Sequence, residues 1–224
     1  MPPRNPVFYR LIGASVGSVV LLTAAPRAAA DDPSPDLARA GSVAPPAVNR
    51  PFVQYGVAFA SEFVAEGTLC NPKPSVAPTC LLGSGAGLVF PRIGWRSPGH
   101  WYLGGAYEFS KHDAGTVYLL PILQQLRGEA RYYFLEGNVG TPFVEGTLGL
   151  AGYGNEWTVD SYGPVASFAV GVEAQVSRNT VVGATFAYRL IHFSSFTDSG
   201  GNLRDAGFAQ LVGLNVLLEV RDPY

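Results

Sequence analysis

The chain has 224 residues, of which 47% are hydrophobic and only 14% are charged, with a formal net charge of −2. No basic patch accompanies this balance, which argues against nucleic acid as a partner. After the N-terminal segment no apolar run approaches the roughly 20 residues that a transmembrane helix needs, so the residue pattern must decide between a soluble and a membrane protein.

Residues 1–30 are typical of a secretory signal peptide. Arg4 and Arg10 give a positive start, 11–25 is an apolar run too short for a comfortable span, and Ala30 ends a run of small residues suited to cleavage. We expect a cleaved signal, with an uncleaved anchor as the alternative. Its removal takes away three arginines and no acid, so the formal net charge changes from −2 to −5.

The segment 31–51 is rich in proline, alanine and serine, a composition that cannot bury a core and predicts a mobile leader. Further on, Cys70 and Cys80 lie in one Pro-rich segment. An even number of cysteines in an exported chain favours a disulfide between them. Two cysteines without a nearby histidine make a poor metal site, so no metal is expected.

From Phe52 onward, apolar and polar residues alternate in eight successive segments. Successive side chains of a strand point to opposite faces, so each segment predicts a strand with one apolar face and one small or polar face. The predicted strands are 52–66, 81–95, 101–111, 117–135, 142–154, 163–176, 180–193 and 206–220. The 81–95 segment does not sort cleanly into two faces, and Pro91 predicts a bulge or an edge irregularity there.

The connections between these strands alternate in length. Short connections are predicted at 96–100, 136–141 and 177–179, long ones at 67–80, 155–162 and 194–205, and 112–116 is the exception. In outer-membrane barrels short turns face the periplasm and long loops face outward. This alternation of short and long connections therefore indicates a barrel with both ends of the chain on the periplasmic side.

Charged residues concentrate on the polar faces of the predicted strands. They are Glu62, Glu108, Glu129, Glu145, Glu173, Glu219, Arg127, Arg131 and Arg189. A small barrel lumen has no room for the many bulky groups of the apolar faces, whereas lipid accepts them. The pattern thus predicts an eight-stranded antiparallel up-and-down transmembrane β-barrel, with these charges forming an internal ion-pair network. A soluble barrel or sandwich is the alternative.

Aromatic residues cluster towards the ends of the predicted strands and predict girdles at the two membrane interfaces, with ordinary core packing as the alternative, because aromatic residues favour strands in any case. They are Phe52, Trp95, Trp101, Tyr132, Tyr133, Phe134, Phe143, Tyr153, Trp157 and Tyr162.

One hairpin resembles a known family. Ala130-Arg131-Tyr132-Tyr133-Phe134, a short turn and then Pro142-Phe143-Val144-Glu145-Gly146-Thr147-Leu148-Gly149 are similar to a hairpin of small bacterial outer-membrane barrels. These are the OmpA-like transmembrane domain and the OmpW-like proteins. The resemblance implies an outer-membrane location, contact with outer-membrane lipid and lipopolysaccharide, and the barrel insertion machinery as a partner. That family usually ends on an aromatic residue, and here Asp222 and Pro223 precede Tyr224.

The chain lacks a phosphate-binding glycine motif, a zinc HExxH and a nucleophile elbow, so no cofactor is expected. His100 and His112 are isolated and are interpreted as surface residues. His192 and Ser194 resemble the HxS motif of outer-membrane lipid A deacylases, although Ser195 stands where that family has Asn. A serine beside a histidine can act as a nucleophile.

These observations favour a non-enzymatic barrel with a structural, surface-interaction or small-ligand-binding role. Two alternatives stay open: a lipid A deacylase-like hydrolase that uses His192 and Ser194, and OmpW-like lateral transport of small apolar molecules.

Overall fold

The computed structural model describes residues 51–67, 82–97, 99–113, 118–135, 140–177, 179–198, 201 and 203–223. All of them belong to the second of the chain's two units, Met1–Gly41 and Ser42–Tyr224. No helix among these residues is long and apolar enough to cross a membrane. The expectations for the signal peptide, the leader up to residue 50, Cys70, Cys80 and Tyr224 fall outside the described residues.

Eight long antiparallel strands form a closed barrel, and two short strands form a separate hairpin. The strands are β1 Phe52–Gly67, β2 Gly85–Arg96, β3 Trp101–His112, β4 Pro121–Tyr133, β5 Gly140–Asn155, β6 Ser161–Gln175, β7 Thr180–Phe193, β8 Phe196–Thr197, β9 Leu203–Arg204 and β10 Gly207–Pro223. Each long strand pairs with its sequence neighbour, and β1 closes the barrel against β10. The predicted eight-stranded antiparallel up-and-down barrel is therefore confirmed.

The two ends of this barrel differ in the connections that they carry. The loop end carries the connections 68–84, 113–120, 156–160 and 194–206, and the turn end carries 97–100, 134–139 and 176–179. The 113–120 connection is longer than predicted because β4 begins only at Pro121, so it follows the alternation of lengths. The 156–160 connection is shorter than predicted because β6 already begins at Ser161, and it is now the exception, since it is shorter than 134–139 at the turn end.

A bulge in β2 explains why that strand does not sort into two faces. Val89 is opposite Glu108 and Arg92 is opposite Ala106, so Phe90 and Pro91 together face a single residue of β3. Both residues of the bulge are exposed, whereas Val89 and Arg92 are buried. The inward-facing positions therefore change from odd to even numbers across the bulge, as expected where one strand carries an additional residue. The irregularity predicted at Pro91 is confirmed.

The buried side chains lie inside the barrel at three levels. The loop end holds an apolar cluster, which we call the cap, formed by Leu82, Tyr118, Leu123, Ala151, Tyr153, Val165, Ile191, Phe193, Phe196, Ala209 and Leu211. A small cluster around Ala58 and Leu217 lies deeper, and Tyr102, Tyr133 and Phe143 pack towards the turn end. Polar residues fill the space between these levels.

Candidate functional site: the charged lumen

Twelve charged side chains, six glutamates and six arginines, point into the lumen. They are Glu62, Glu108, Glu129, Glu145, Glu173, Glu219, Arg92, Arg96, Arg127, Arg131, Arg189 and Arg221. Eleven of these residues are buried, and the side chain of Arg221 is only 11% exposed. The structure thus brings together the nine residues that the sequence analysis placed in the network and adds three arginines.

The central part of the lumen is organised around Arg131 and Arg92. Arg131 donates from Nη2 and Nη1 to both carboxylate oxygens of Glu219, at 2.9 and 3.0 Å, and from Nε to Glu145 at 2.7 Å. Arg92 donates to Glu129 at 2.8 Å and also to Glu145. Since guanidinium and carboxylate groups match in shape, such paired contacts are the strong form of this interaction. The carboxylates come from β4, β5 and β10, so the cluster ties opposite walls of the barrel together.

A second group lies between this centre and the loop end. Arg189 donates to Glu62 and, at 3.1 Å, to Glu108, which also accepts a 2.5 Å bond from Arg127. His112 lies against the same carboxylate of Glu62, with Nε2 at 3.1 Å, and its Nδ1 is 2.8 Å from the carbonyl oxygen of Gly83. A carbonyl oxygen only accepts, so Nδ1 carries a proton and His112 is a donor towards the loop.

The turn end carries a third group around Glu173. This carboxylate accepts from Arg96 at 2.9 Å, from Arg221, and from the hydroxyl of Tyr133 at 3.0 Å. The guanidinium of Arg96 also stacks over the Tyr133 ring, 3.3 Å from its centroid. Two cations therefore share one carboxylate at this mouth of the barrel.

The cap closes the other mouth with apolar groups and one ion pair. The ring of Tyr153 contacts those of Tyr118 and Phe193, with centroids 5.7 and 6.0 Å apart. The β8–β9 hairpin brings Phe196 into the cap and buries the Asp198–Arg204 pair at 2.8 Å. No group of three or more His, Cys, Asp or Glu in the described part of the chain is arranged to hold a metal ion.

Sequence reasoning missed four charged or titratable residues of the lumen, and each miss has a structural reason. Arg92 and Arg96 follow the β2 bulge, which reverses the phase of the strand. Arg221 lies beyond the predicted end of the last strand, which continues to Pro223 because it pairs with the start of β1. The interpretation of His112 as a surface residue is wrong: it is 2% exposed, because it ends β3 on the inward phase of Ser110.

The outer surface of the barrel is too apolar to face water. Leu148 is 72% exposed, Phe59 67% and Leu126 63%, and large apolar side chains are exposed on all eight long strands. Trp95, Trp101, Phe134, Trp157 and Tyr162 are exposed near the strand ends, in the positions of interfacial girdles. The girdle interpretation is wrong for Phe52, Tyr133, Phe143 and Tyr153, which are buried in the lumen instead.

His192 and Ser194 lie at the loop end of β7, where they are half-buried. The edge of the His192 ring meets Phe208, with centroids 4.8 Å apart. The Ser194 hydroxyl lies 3.4 Å from that of Ser161 and accepts from the backbone N–H of Tyr162 at 3.3 Å. Among the described residues no hydrogen bond joins His192 to Ser194.

A closed barrel with paired charges inside and an apolar belt outside defines the class of transmembrane β-barrels. The chain is similar to the solved structure of the outer membrane protein OprG from Pseudomonas aeruginosa, with 9% identity and a TM-score of 0.51, covering 78% of this chain and 97% of OprG. It is also similar to the Neisserial surface protein A, with 19% identity and a TM-score of 0.46, covering 74% of this chain and 96% of that one. No family model and no curated protein matches the sequence. The chain therefore has the fold of the small outer-membrane β-barrels, which is the fold that the hairpin resemblance predicted.

Proposed function

We propose that this chain is an outer-membrane barrel whose lumen is closed by paired charges, and that it serves as a structural or surface-interaction protein. One observation carries the proposal: twelve charged side chains of balanced sign fill the lumen from below the cap to the turn end, the Glu173 group included. An interior of eight strands is just wide enough for side chains to fill. Such an interior leaves the outer surface and the loops as the places where a partner can bind.

The outer-membrane assignment is tested by extraction. After cell fractionation, the protein is expected to stay in the membrane pellet through salt and alkaline washes and to enter solution only with detergent, because its apolar belt requires lipid or a substitute. As the matched control, a secreted soluble protein from the same cells should leave the pellet in the first wash. Recovery of the chain in the soluble periplasmic fraction without detergent would contradict the proposal.

Export and loop chemistry are further parts of the proposal. We propose that the signal is cleaved after Ala30 and that Cys70 and Cys80 form a disulfide in the oxidising compartment. The intact mass of the purified protein should correspond to a chain beginning at Asp31, with two hydrogens fewer than the reduced form. A chain that still begins at residue 1, or one that takes up thiol reagent without prior reduction, would be inconsistent with these two steps.

The proposal assigns no hydrolytic activity to the chain. The Ser194 hydroxyl lies against Ser161 and Tyr162, and the His192 ring contacts Phe208, so the arrangement offers no activated nucleophile. Lipid A from cells that express the wild type and Ser194→Ala should have the same acylation by mass spectrometry. Loss of an acyl chain with the wild type alone would support the deacylase alternative.

A further inference from the structure

A groove on the lipid-facing side, close to the loop end, combines apolar walls with one cation. The groove has a volume of about 400 Å³, and its walls include Phe59, Leu88, Phe109, Ile122 and Trp157, with Lys111 among its lining residues. Trp157 belongs to the 156–160 connection and leans onto Phe109, with ring centroids 6.2 Å apart. Ile122 is only 6% exposed although it lies on the outward phase of β4, so the groove is a true recess in the belt.

Lys111 is distinct among the basic residues of the barrel. It is the only exposed lysine or arginine among the described residues, since the arginines of the lumen and Arg204 are buried or nearly so. Within the same part of the chain, no ion pair or hydrogen bond engages its ammonium group. It lies one residue before the end of β3, opposite Ala86 of β2 and Ile122 of β4. The nearest acid along the chain is Asp113, whose backbone is bonded to Gly83 and Ser84.

We propose that this groove binds one phosphate-bearing acylated lipid of the surrounding leaflet, with the phosphate on Lys111 and an acyl chain between Phe59, Phe109 and Trp157. Charge complementarity selects the occupant: an apolar recess that ends in a single unpaired ammonium at the membrane interface suits an anionic amphiphile. Lysine binds phosphate as a point charge. This inference rests on the proposed membrane location, because the groove opens from the belt.

Trp157 provides a local fluorescence reporter. The chain has three tryptophans, and the other two, Trp95 and Trp101, lie at the turn end. The full chain with Trp95→Phe and Trp101→Phe is reconstituted in phosphatidylcholine vesicles that contain increasing fractions of brominated phosphatidylglycerol or brominated phosphatidylcholine. Bromine quenches tryptophan on contact, so the quenching reports which lipid occupies the groove.

The anionic brominated lipid is expected to bind beside Trp157 about fivefold more strongly than the zwitterionic one, the factor that one lysine contributes near an anionic headgroup. Lys111→Gln should abolish the preference, whereas Lys111→Arg, which keeps the charge, should retain it. Ala86→Leu places a larger side chain on the exposed floor of the groove and should reduce quenching by both lipids. Equal quenching by the two lipids, or a preference that survives Lys111→Gln, would overturn the proposal.

The companion variant Trp157→Phe separates this inference from the proposed location. It retains Trp95 and Trp101, which are 43% and 53% exposed on the belt. Both brominated lipids should quench these residues without a headgroup preference. If neither lipid quenches them, the membrane assignment itself fails. If both lipids quench them while Trp157 shows no preference, only the lipid site fails.

Discussion

Individual arginines connect the strands that surround the lumen, and Arg131 is the clearest case. It is fully buried and joins Glu219 and Glu145 through three hydrogen bonds. We predict that Arg131→Met lowers the free energy of unfolding in lipid vesicles by about 3–5 kcal/mol, because Glu219 loses its paired guanidinium contact and Glu145 keeps only that of Arg92. Arg131→Lys should recover only part of the loss, since a single ammonium cannot replace the planar fork.

The matched control for this prediction is Lys111→Met. It removes a cation that is exposed and pairs with no described residue, so in phosphatidylcholine vesicles, which contain no anionic lipid for Lys111 to bind, it should change the free energy of unfolding by no more than about 0.5 kcal/mol. Urea titrations of both variants give the comparison. Losses of equal size would mean that the lumen pairs do not carry the stability that their geometry suggests.

Residue identities in the lumen were predictable wherever the strand phase was regular. Glu145 and Arg131 follow the alternation and could be placed from sequence alone. Arg92 could not, because the β2 bulge shifts the phase by one residue, and this shift depends on pairing with β1 and β3. His112 was missed for another reason: its partner Glu62 is 50 residues away, and the two meet only because β1 and β3 both pair with β2, where Gly85 lies opposite each of them.

At the level of the strands, neighbouring backbones approach some glycines so closely that a Cβ atom does not fit without a shift. A Cβ atom added at Gly149 in β5 would lie 2.0 Å from the carbonyl oxygen of Leu126 in β4, whereas one at Gly146 meets nothing within 4 Å. Gly149→Ala is expected to lower the free energy of unfolding by about 1–3 kcal/mol, since the backbones must move apart. Gly146→Ala, three residues away on the same strand, should be neutral or slightly stabilising. Equal effects of the two substitutions in a urea titration would contradict this interpretation.

The β8–β9 hairpin closes the loop end, and the buried Asp198–Arg204 pair holds it inward. Asp198→Ala leaves the guanidinium of Arg204 buried without this carboxylate, a cost that favours release of the hairpin into water. Trypsin should then cut after Arg204 much faster than in the wild type, in which this residue is only 2% exposed. Thr197→Ala, an exposed change in the same hairpin, should leave cleavage slow. Unchanged cleavage in Asp198→Ala would show that the pair does not hold the hairpin.

The sequence indicated the number and order of the long strands but not the small hairpin. The alternation of apolar and polar residues continues for longer in the long strands than in any turn or short strand, so β1 and β10 were recognisable. Two-residue strands such as β8 and β9 carry too little pattern to be seen, and their inward position depends on packing in the cap. Residues 117–120 read as strand because they are apolar, yet Tyr118 turns inward to the cap instead.

For the whole molecule, a filled lumen predicts the electrical behaviour of the barrel. Purified protein in a planar bilayer should show no large steady conductance, because the charged groups and the cap obstruct the axis from one mouth to the other. Removal of the β8–β9 hairpin, residues 196–204, should leave this result unchanged, because the deeper ion pairs remain in place. A large and steady current through the wild-type protein would refute the closed lumen.

The ion pairs also bear on how the barrel is assembled. Arg189 of β7 and Glu62 of β1 are 127 residues apart in sequence, so this pair forms only when β1 meets β10. Arg131 and Glu219 are 88 residues apart and meet across the lumen only when the sheet curls into a barrel. A partly built sheet would present these charges to hydrocarbon at a cost of several kcal/mol each. Half-inserted intermediates are therefore disfavoured, and entry into the bilayer becomes an all-or-none event in which the final strand neutralises the interior.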